Sequence, residues 1–211
     1  MASPLVFYTN PMSRGRVVRW MLEEVGQPYQ TEILDYGTTM KAPAYLAINP
    51  MGKVPALKHG DEVVTECAAI CAYLADAFPA AGLAPPVNSP HRAGYYRWLF
   101  FGAGPIEAAA GNKGLGVTVP EDKKMMVGYG SMEDVVAVLD AELSRRAYLA
   151  GEGFTAADLY VGAQLGWLTR FGVIEKRPSF EGYIARIEQR PAFQRAKAID
   201  DQLMPAPPGA A

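Results

Sequence analysis

Cysteine is scarce in this chain. Cys67 and Cys71 are the only two among 211 residues, which excludes a small secreted scaffold built on disulfides. Histidine is equally scarce, with His59 and His91 alone. The pair Cys67 and Cys71, four residues apart on a helical pattern, is therefore read as packing cysteines and not as half of a metal site. Neither sign of charge dominates: 20 Lys+Arg stand against 22 Asp+Glu. A net charge of -2 offers no basic field for nucleic acid or anionic lipid. No apolar run reaches the ~18 residues of a membrane span. Met1 to Tyr8 has neither a basic n-region nor an apolar h-region, so a signal peptide is not expected. No Ser-His-Asp arrangement and no phosphate-cradling glycine loop is apparent. The expectation is a soluble, cytoplasmic protein without a bound metal.

Half of the residues are hydrophobic and a fifth are charged, the composition of a folded globular chain. Its patterning divides the sequence in two. Residues 1–79 mix short β-type runs with helical periodicity, and residues 90–204 are almost wholly helical in pattern. Between them, residues 80–89 belong to a stretch from Phe78 to Pro90 with four prolines, which reads as a linker. Residues 205–211 read as a frayed tail.

Within the first part, Pro4–Thr9 reads as a buried strand. Arg14–Val25 reads as a helix, with Val18, Met21, Leu22 and Val25 at i, i+3, i+4 and i+7 and Gly26 as its αL cap. Tyr29–Leu34 reads as a second strand. A strand, helix and strand in about 30 residues predicts a βαβ unit with parallel strands. A short helix near Ala44–Ile48 follows, then a hairpin from Val54 through His59-Gly-Asp to Thr65. A helix from Glu66 to about Phe78 shows Ile70, Tyr73, Leu74 and Phe78 on one face. In the second part, long helices are expected over Arg92–Ala110 and Lys123–Arg146. Thr155-Ala-Ala-Asp158 is a capping box opening an apolar central helix, Leu159–Leu168. Shorter helices fit near Phe180–Glu188 and Pro191–Ile199. The fold class is α/β plus all-α, a βαβ-ββα domain followed by a helical one.

A βαβ-ββα pattern carrying Asn49-Pro-Met-Gly-Lys-Val-Pro55, then Glu66 at a helix start, then a helical part with Thr155-Ala-Ala-Asp158, resembles the cytosolic glutathione S-transferases over roughly residues 4–200. The segment Ser13–Gly26 looks most like the serine-type bacterial and fungal branches. The resemblance implies a thioredoxin-like N-terminal domain that binds glutathione as a co-substrate, with no other cofactor. The activity it implies is conjugation of the glutathione thiolate to small hydrophobic electrophiles, as in detoxification. Glutathione-dependent peroxide or disulfide reduction, and a non-catalytic binding or regulatory protein on the same fold, are the alternatives. The loop before the first helix holds no cysteine, which tells against reduction.

The thiol of glutathione has an unperturbed pKa of about 8.5, so catalysis requires that its anion be stabilised. A hydroxyl at a helix N-terminus does this by donating to sulfur where the helix adds partial positive charge. Ser13 is so placed, and by itself it reads first as a plain N-cap for Gly15 or Arg16; the resemblance reverses that order in favour of the thiolate role. Tyr8, at the end of the first strand, and Asn10 are rivals, and Tyr8 also reads as a core aromatic. The resemblance implies a cis Val54-Pro55 bond whose flanking backbone pairs with the tripeptide as a short strand. It also places Lys53, and Lys41 behind it, near the glycyl carboxylate. Glu66 and Cys67 open a helix whose free N–H groups suit the γ-glutamyl carboxylate, with Glu66 meeting the α-ammonium. The family usually has Ser where Cys67 stands.

An apolar pocket for the electrophile is expected between the domains. Its candidates are Met12, Tyr96, Phe100 and Phe101, with Tyr95, Trp98 and Leu99 on the same crowded stretch. Residues 95–101 hold more apolar surface than one core stripe uses. Gly102-Ala-Gly-Pro and Gly111–Gly116 are expected to bend or break the helix. Relatives pair as two-fold dimers, so a homodimer is expected.

Overall fold

The run Leu5–Thr9 forms strand β1 in a computed structural model that describes residues 3–205. Leu5, Phe7 and Thr9 point inward, the period of two expected of a strand. The tail read at 205–211 lies outside the described residues from position 206 onward. Helix α1, Gly15–Val25, buries Val18, Met21, Leu22 and Val25. It ends where Gly26, at a φ of 71°, returns its N–H to the Leu22 carbonyl. β2, Tyr29–Ile33, lies parallel to β1. After the short helix α2, Pro43–Leu46, strands β3, Ala56–His59, and β4, Glu62–Thr65, complete a sheet in the order β2-β1-β3-β4. β3 is antiparallel to both of its neighbours. This is the βαβ-ββα arrangement read from the pattern.

Helix α3, Cys67–Ala77, seats Ile70, Cys71, Leu74 and Ala75 in the core. Tyr73 and Phe78, expected on that face, flank it instead. Both are half-buried around His59, whose Nδ1 lies 2.8 Å from the Tyr73 hydroxyl while its ring stacks on Phe78.

The chain divides into two compact units, one made of residues up to 81 together with those from 190 onward, the other of 82–189. Two sequence boundaries change accordingly. Leu83, placed in the linker, is buried, and its carbonyl accepts the N–H of Ala156; the second unit begins before the prolines end. The last helix, α9, Pro191–Gln202, joins the first unit by packing on α1. Apolar packing, with the Trp20 and Phe193 rings 4.9 Å apart, and ion pairs hold it there. Arg19 pairs with Asp200, Arg190 with Glu24 and Arg195 with Glu23, each within 2.9 Å.

In the second unit, α4, His91–Phe101, passes through a π-helical turn at Gly102–Ile106 into α5, Glu107–Gly114. The glycines and Pro105 widen the helix here and do not break it. The expected helix over 123–146 is three pieces: a 3₁₀ stretch at Glu121–Met126, a turn through Gly128–Gly130, and α6 at Met132–Leu143. Gly130 takes a φ of 69°, and Ser131 then caps α6 in a box with Asp134, so the helix starts anew. Helix α7, Ala156–Arg170, is buried along nearly its whole length, and α8, Pro178–Glu188, packs on it. Asp158 is fully buried. Its carboxylate accepts from the N–H and hydroxyl of Thr155, the N–H of Leu149 and the hydroxyl of Tyr183. Capping is thus only part of its role: it knits the turn before α7 to α8.

Candidate active site

Strand register collects the site residues of the first unit. Ala56 pairs with Tyr8 on one side and Thr65 on the other. Val54 and Pro55, just before β3, therefore reach the end of the sheet where β1 finishes and where β4 gives way to α3. The loop 10–14, the turn at 53–55 and the pair Glu66-Cys67 share that end. The Cys67 thiol confirms the proximity, lying 3.8 Å from the Arg14 carbonyl.

Loop 10–14 is held from within. Asn10 is nearly buried, its amide donating to the Leu34 carbonyl at 2.8 Å and its Oδ1 accepting the Met12 N–H at 2.9 Å. Both ends of its amide thus help to shape the loop. The Ser13 hydroxyl donates to the Asn10 carbonyl at 2.7 Å and accepts the Gly15 N–H at 2.9 Å. The capping role read for Ser13 is present, and its proton rests on a neighbouring carbonyl at the head of α1. Two residues at the start of α1 support this loop. A Cβ on Gly15 would fall 1.9 Å from the Thr9 Oγ1 and 2.9 Å from the Ser13 Oγ, so only glycine lets α1 start this close to β1. Arg16 donates to the Pro11 carbonyl at 2.6 Å and to Asp201 of α9 at 2.8 Å. The spacing Ser13-Arg-Gly hints at the first; nothing local signals the second.

Tyr8 is half-buried. It packs with Leu34, Ile48 and Val54 against Met40, Tyr45 and Ala56, its ring 5.6 Å from that of Tyr45. Both readings of Tyr8 thus remain physically available, because its hydroxyl makes no hydrogen bond among the described residues.

The Val54-Pro55 bond is cis. The Lys53 carbonyl before it accepts from the Tyr45 hydroxyl at 2.6 Å and the Asn49 amide at 2.8 Å. Burial pushes the Tyr45 hydroxyl up to about 12, so it stays a protonated donor at neutral pH. Among the described residues, neither the N–H nor the C=O of Val54 is hydrogen-bonded. Lys53 is exposed and its ammonium has no partner among them, whereas Lys41 donates to the Met51 carbonyl at 3.0 Å, close beside Gly52. Glu66 is the only non-glycine described residue with positive φ, at 67° with ψ 120°, and its side chain is exposed at the head of α3. Such a conformation costs on the order of 1–3 kcal/mol and recurs at functional sites.

Of the residues expected to meet an electrophile, Met12 is exposed in the first unit, and Tyr96 and Phe100 are exposed on α4 of the second. Phe101 is half-buried with its ring against Trp98. Tyr95, Trp98 and Leu99 are core residues, which resolves the crowding of 95–101 into an inner and an outer face. Among the described residues no group of three or more side chains suited to a metal ion is present, and no helix is long and apolar enough to cross a membrane.

Comparison with known proteins agrees with this geometry. Residues 12–77 match the glutathione S-transferase N-terminal domain and residues 120–191 the C-terminal domain of the same family. Glutathione S-transferase 3 of Zea mays is 32% identical, over 98% of this chain and 97% of its own. A glutathione transferase structure from Methylococcus capsulatus superposes with a TM-score of 0.78 at 30% identity, covering 94% of this chain and 99% of that one. A sphingomonad glutathione S-transferase complexed with glutathione gives 0.76 at 31% identity, covering 93% and 98%. The chain therefore belongs to the cytosolic glutathione S-transferase superfamily and is a glutathione transferase.

Proposed function

We propose that the protein joins the sulfur of glutathione to small hydrophobic electrophiles in the cytoplasm, as a homodimer, with glutathione as co-substrate and no further cofactor. The observation that carries this reading is Glu66, a non-glycine residue held at positive φ beside the open backbone of Val54. Strain of this kind persists only where the surroundings impose it, and a tripeptide site gives it a use. The backbone of Val54 pairs with the cysteinyl unit of glutathione as a short antiparallel strand. Lys53 faces the glycyl carboxylate, with Lys41 behind it. The N–H of Cys67, at the head of α3, meets the γ-glutamyl carboxylate, and Glu66 meets the adjacent ammonium.

Ser13 supplies the hydrogen bond to sulfur. To do so, its hydroxyl rotates from the Asn10 carbonyl towards the thiolate while still accepting from Gly15. A hydroxyl already accepting a hydrogen bond is a stronger donor, since bonds in a chain polarise one another. The thiolate attacks the electrophilic carbon as the leaving group departs with its electron pair. Met12, beside Ser13, supplies apolar surface for the acceptor. Exposed apolar side chains such as Phe100, Met51 and Val63 also suit a self-complementary dimer contact.

Glutathione titration of the parent and of Glu66→Ala tests the reading. Affinity is expected to drop about ten- to a hundredfold, the scale of one hydrogen bond to a charged group, with little change in melting temperature. A parent protein that neither binds glutathione-agarose nor turns over a model aryl halide overturns it.

A further inference from the structure

In the second unit, the start of α4, the end of α6 and the turn at 149–151 enclose a groove of about 340 Å³. Its charge is lopsided. Arg97, Arg145 and Arg146 line it against one carboxylate, Glu142, in a chain whose net charge is negative. Glu142 is 8% exposed and grips two of the cations, Arg145 at 2.9 Å and Arg146 at 3.2 Å. Arg145 is fixed further by its Nε donating to the Ala141 carbonyl. Arg97 is held differently, its guanidinium 4.5 Å from the centre of the buried Trp98 ring. Glu142 thus positions two of the arginines at one wall of the groove, and Trp98 positions the third.

Several of their donors nevertheless remain open. Among the described residues Arg97 has no hydrogen bond or ion pair, and neither terminal nitrogen of Arg146 is bonded. The His91 ring, stacked over Gly151, adds a further polar edge. Gly151 has a φ of 130°, and a Cβ there would come within 3.2 Å of that ring, so the backbone bends close under the groove where only glycine fits. Planar guanidinium forks match the oxygens of a phosphate, and a volume at the low end of small-molecule sites admits a small organic body behind it.

We propose that this groove binds a small phosphate monoester, with Arg97 and Arg146 donating to its oxygens and Arg145 contributing charge. The site lies wholly within the second unit and does not depend on the reading of the glutathione site.

The test is calorimetric titration with ribose 5-phosphate, inorganic phosphate and succinate, all in saturating glutathione. One saturable site per chain for ribose 5-phosphate is expected, with inorganic phosphate weaker and succinate weaker still. Arg97→Gln leaves the Glu142 pairs intact, so the fold is preserved, and should weaken binding about ten- to a hundredfold. Arg97→Lys should fall between the two. Absence of saturable ribose 5-phosphate binding at millimolar concentration overturns the proposal, and so does binding that Arg97→Gln leaves unchanged. Succinate binding as tightly as the phosphate ester, or competition between the ester and glutathione, overturns it equally.

Discussion

Arg19 of α1 and Asp200 of α9 meet at 2.7 Å, with side chains 2% and 1% exposed. The guanidinium also lies over the Phe7 ring and donates weakly to Tyr29 and Thr31, so the pair joins strand, first helix and last helix. Its geometry is incomplete: Arg19 Nη2 and Asp200 Oδ2 find no partner among the described residues. Removing one member leaves a buried charge alone, at a cost of about 3–5 kcal/mol, whereas replacing both by apolar groups is often neutral. Arg19→Met should therefore destabilise the protein by about that amount, and Arg19→Met with Asp200→Leu should recover most of it. Urea unfolding of the two single variants and the double checks this. A loss in the double variant equal to the sum of the two single losses would show that the pair is not coupled.

Acid stability should depend on Asp140. The Ser179 hydroxyl and the Arg177 guanidinium hold its carboxyl below the usual carboxylate range. An acid with a depressed folded pKa contributes stability above its unfolded value, about 3.9, and loses it as pH falls through the folded value. Asp158 and Asp200 run the other way, because burial pushes both up; their contribution is fullest below the unfolded value and falls as pH rises. Asp140→Asn should accordingly lower the melting temperature at pH 7, with the gap from the parent closing as pH falls towards 2. A gap that stays constant with pH would place the effect elsewhere than in the ionised carboxylate.

Local pattern made the first unit legible. Strand alternation at Leu5–Thr9, the stripe on α1 and the Asn49–Pro55 turn are all short-range signals, and the parallel β1–β2 pair follows from connection length. The Thr155–Asp158 box was legible for the same reason, although not the reach of Asp158 to Tyr183, 25 residues away. What was hidden is long-range. The ion pairs that bring α9 to the first unit join residues 166 to 185 positions apart, and charge spacing along the chain does not encode them. Helix periodicity also carried through Gly128–Gly130, where turn chemistry and the Ser131 cap override it. In the site, residue types were readable, but hydrogen-bond direction was not: only the fold shows the Ser13 hydroxyl donating to the Asn10 carbonyl and the Tyr8 hydroxyl without a hydrogen bond among the described residues.

Gly15 predicts a case where one methyl group disturbs catalysis. A Cβ at this position collides with the Thr9 hydroxyl and crowds Ser13, and Thr9 is fully buried. Gly15→Ala must displace the start of α1 from β1, against the usual gain in helix propensity of about 1 kcal/mol. The variant should be less stable than the parent by about 1–3 kcal/mol, the range of overpacking, and its turnover should fall along with it. Thr9→Ser, which keeps the hydroxyl, should not relieve the clash, whereas Gly15→Ala with Thr9→Ala should recover stability. Thermal melts of the three proteins decide it, and a Gly15→Ala variant more stable than the parent would contradict the close approach.

The choice between two hydroxyls is the sharpest test of the site. Ser13 already accepts from Gly15 and needs one rotation to donate to sulfur, while the Tyr8 hydroxyl is unengaged among the described residues but attached to a ring packed on Tyr45. Ser13→Ala should lower turnover of a model aryl halide by about 10- to 100-fold, the scale of a lost hydrogen bond of roughly 1.5–3 kcal/mol to a charged group. The apparent thiol pKa of bound glutathione should rise in parallel, because the anion alone loses its donor. Tyr8→Phe should leave that pKa unchanged and affect the protein through packing. Thiolate absorbance followed against pH, with the KM for glutathione measured separately, distinguishes the two. If Tyr8→Phe raises the thiol pKa and Ser13→Ala does not, the donor is the tyrosine and Ser13 serves only to turn the chain into α1.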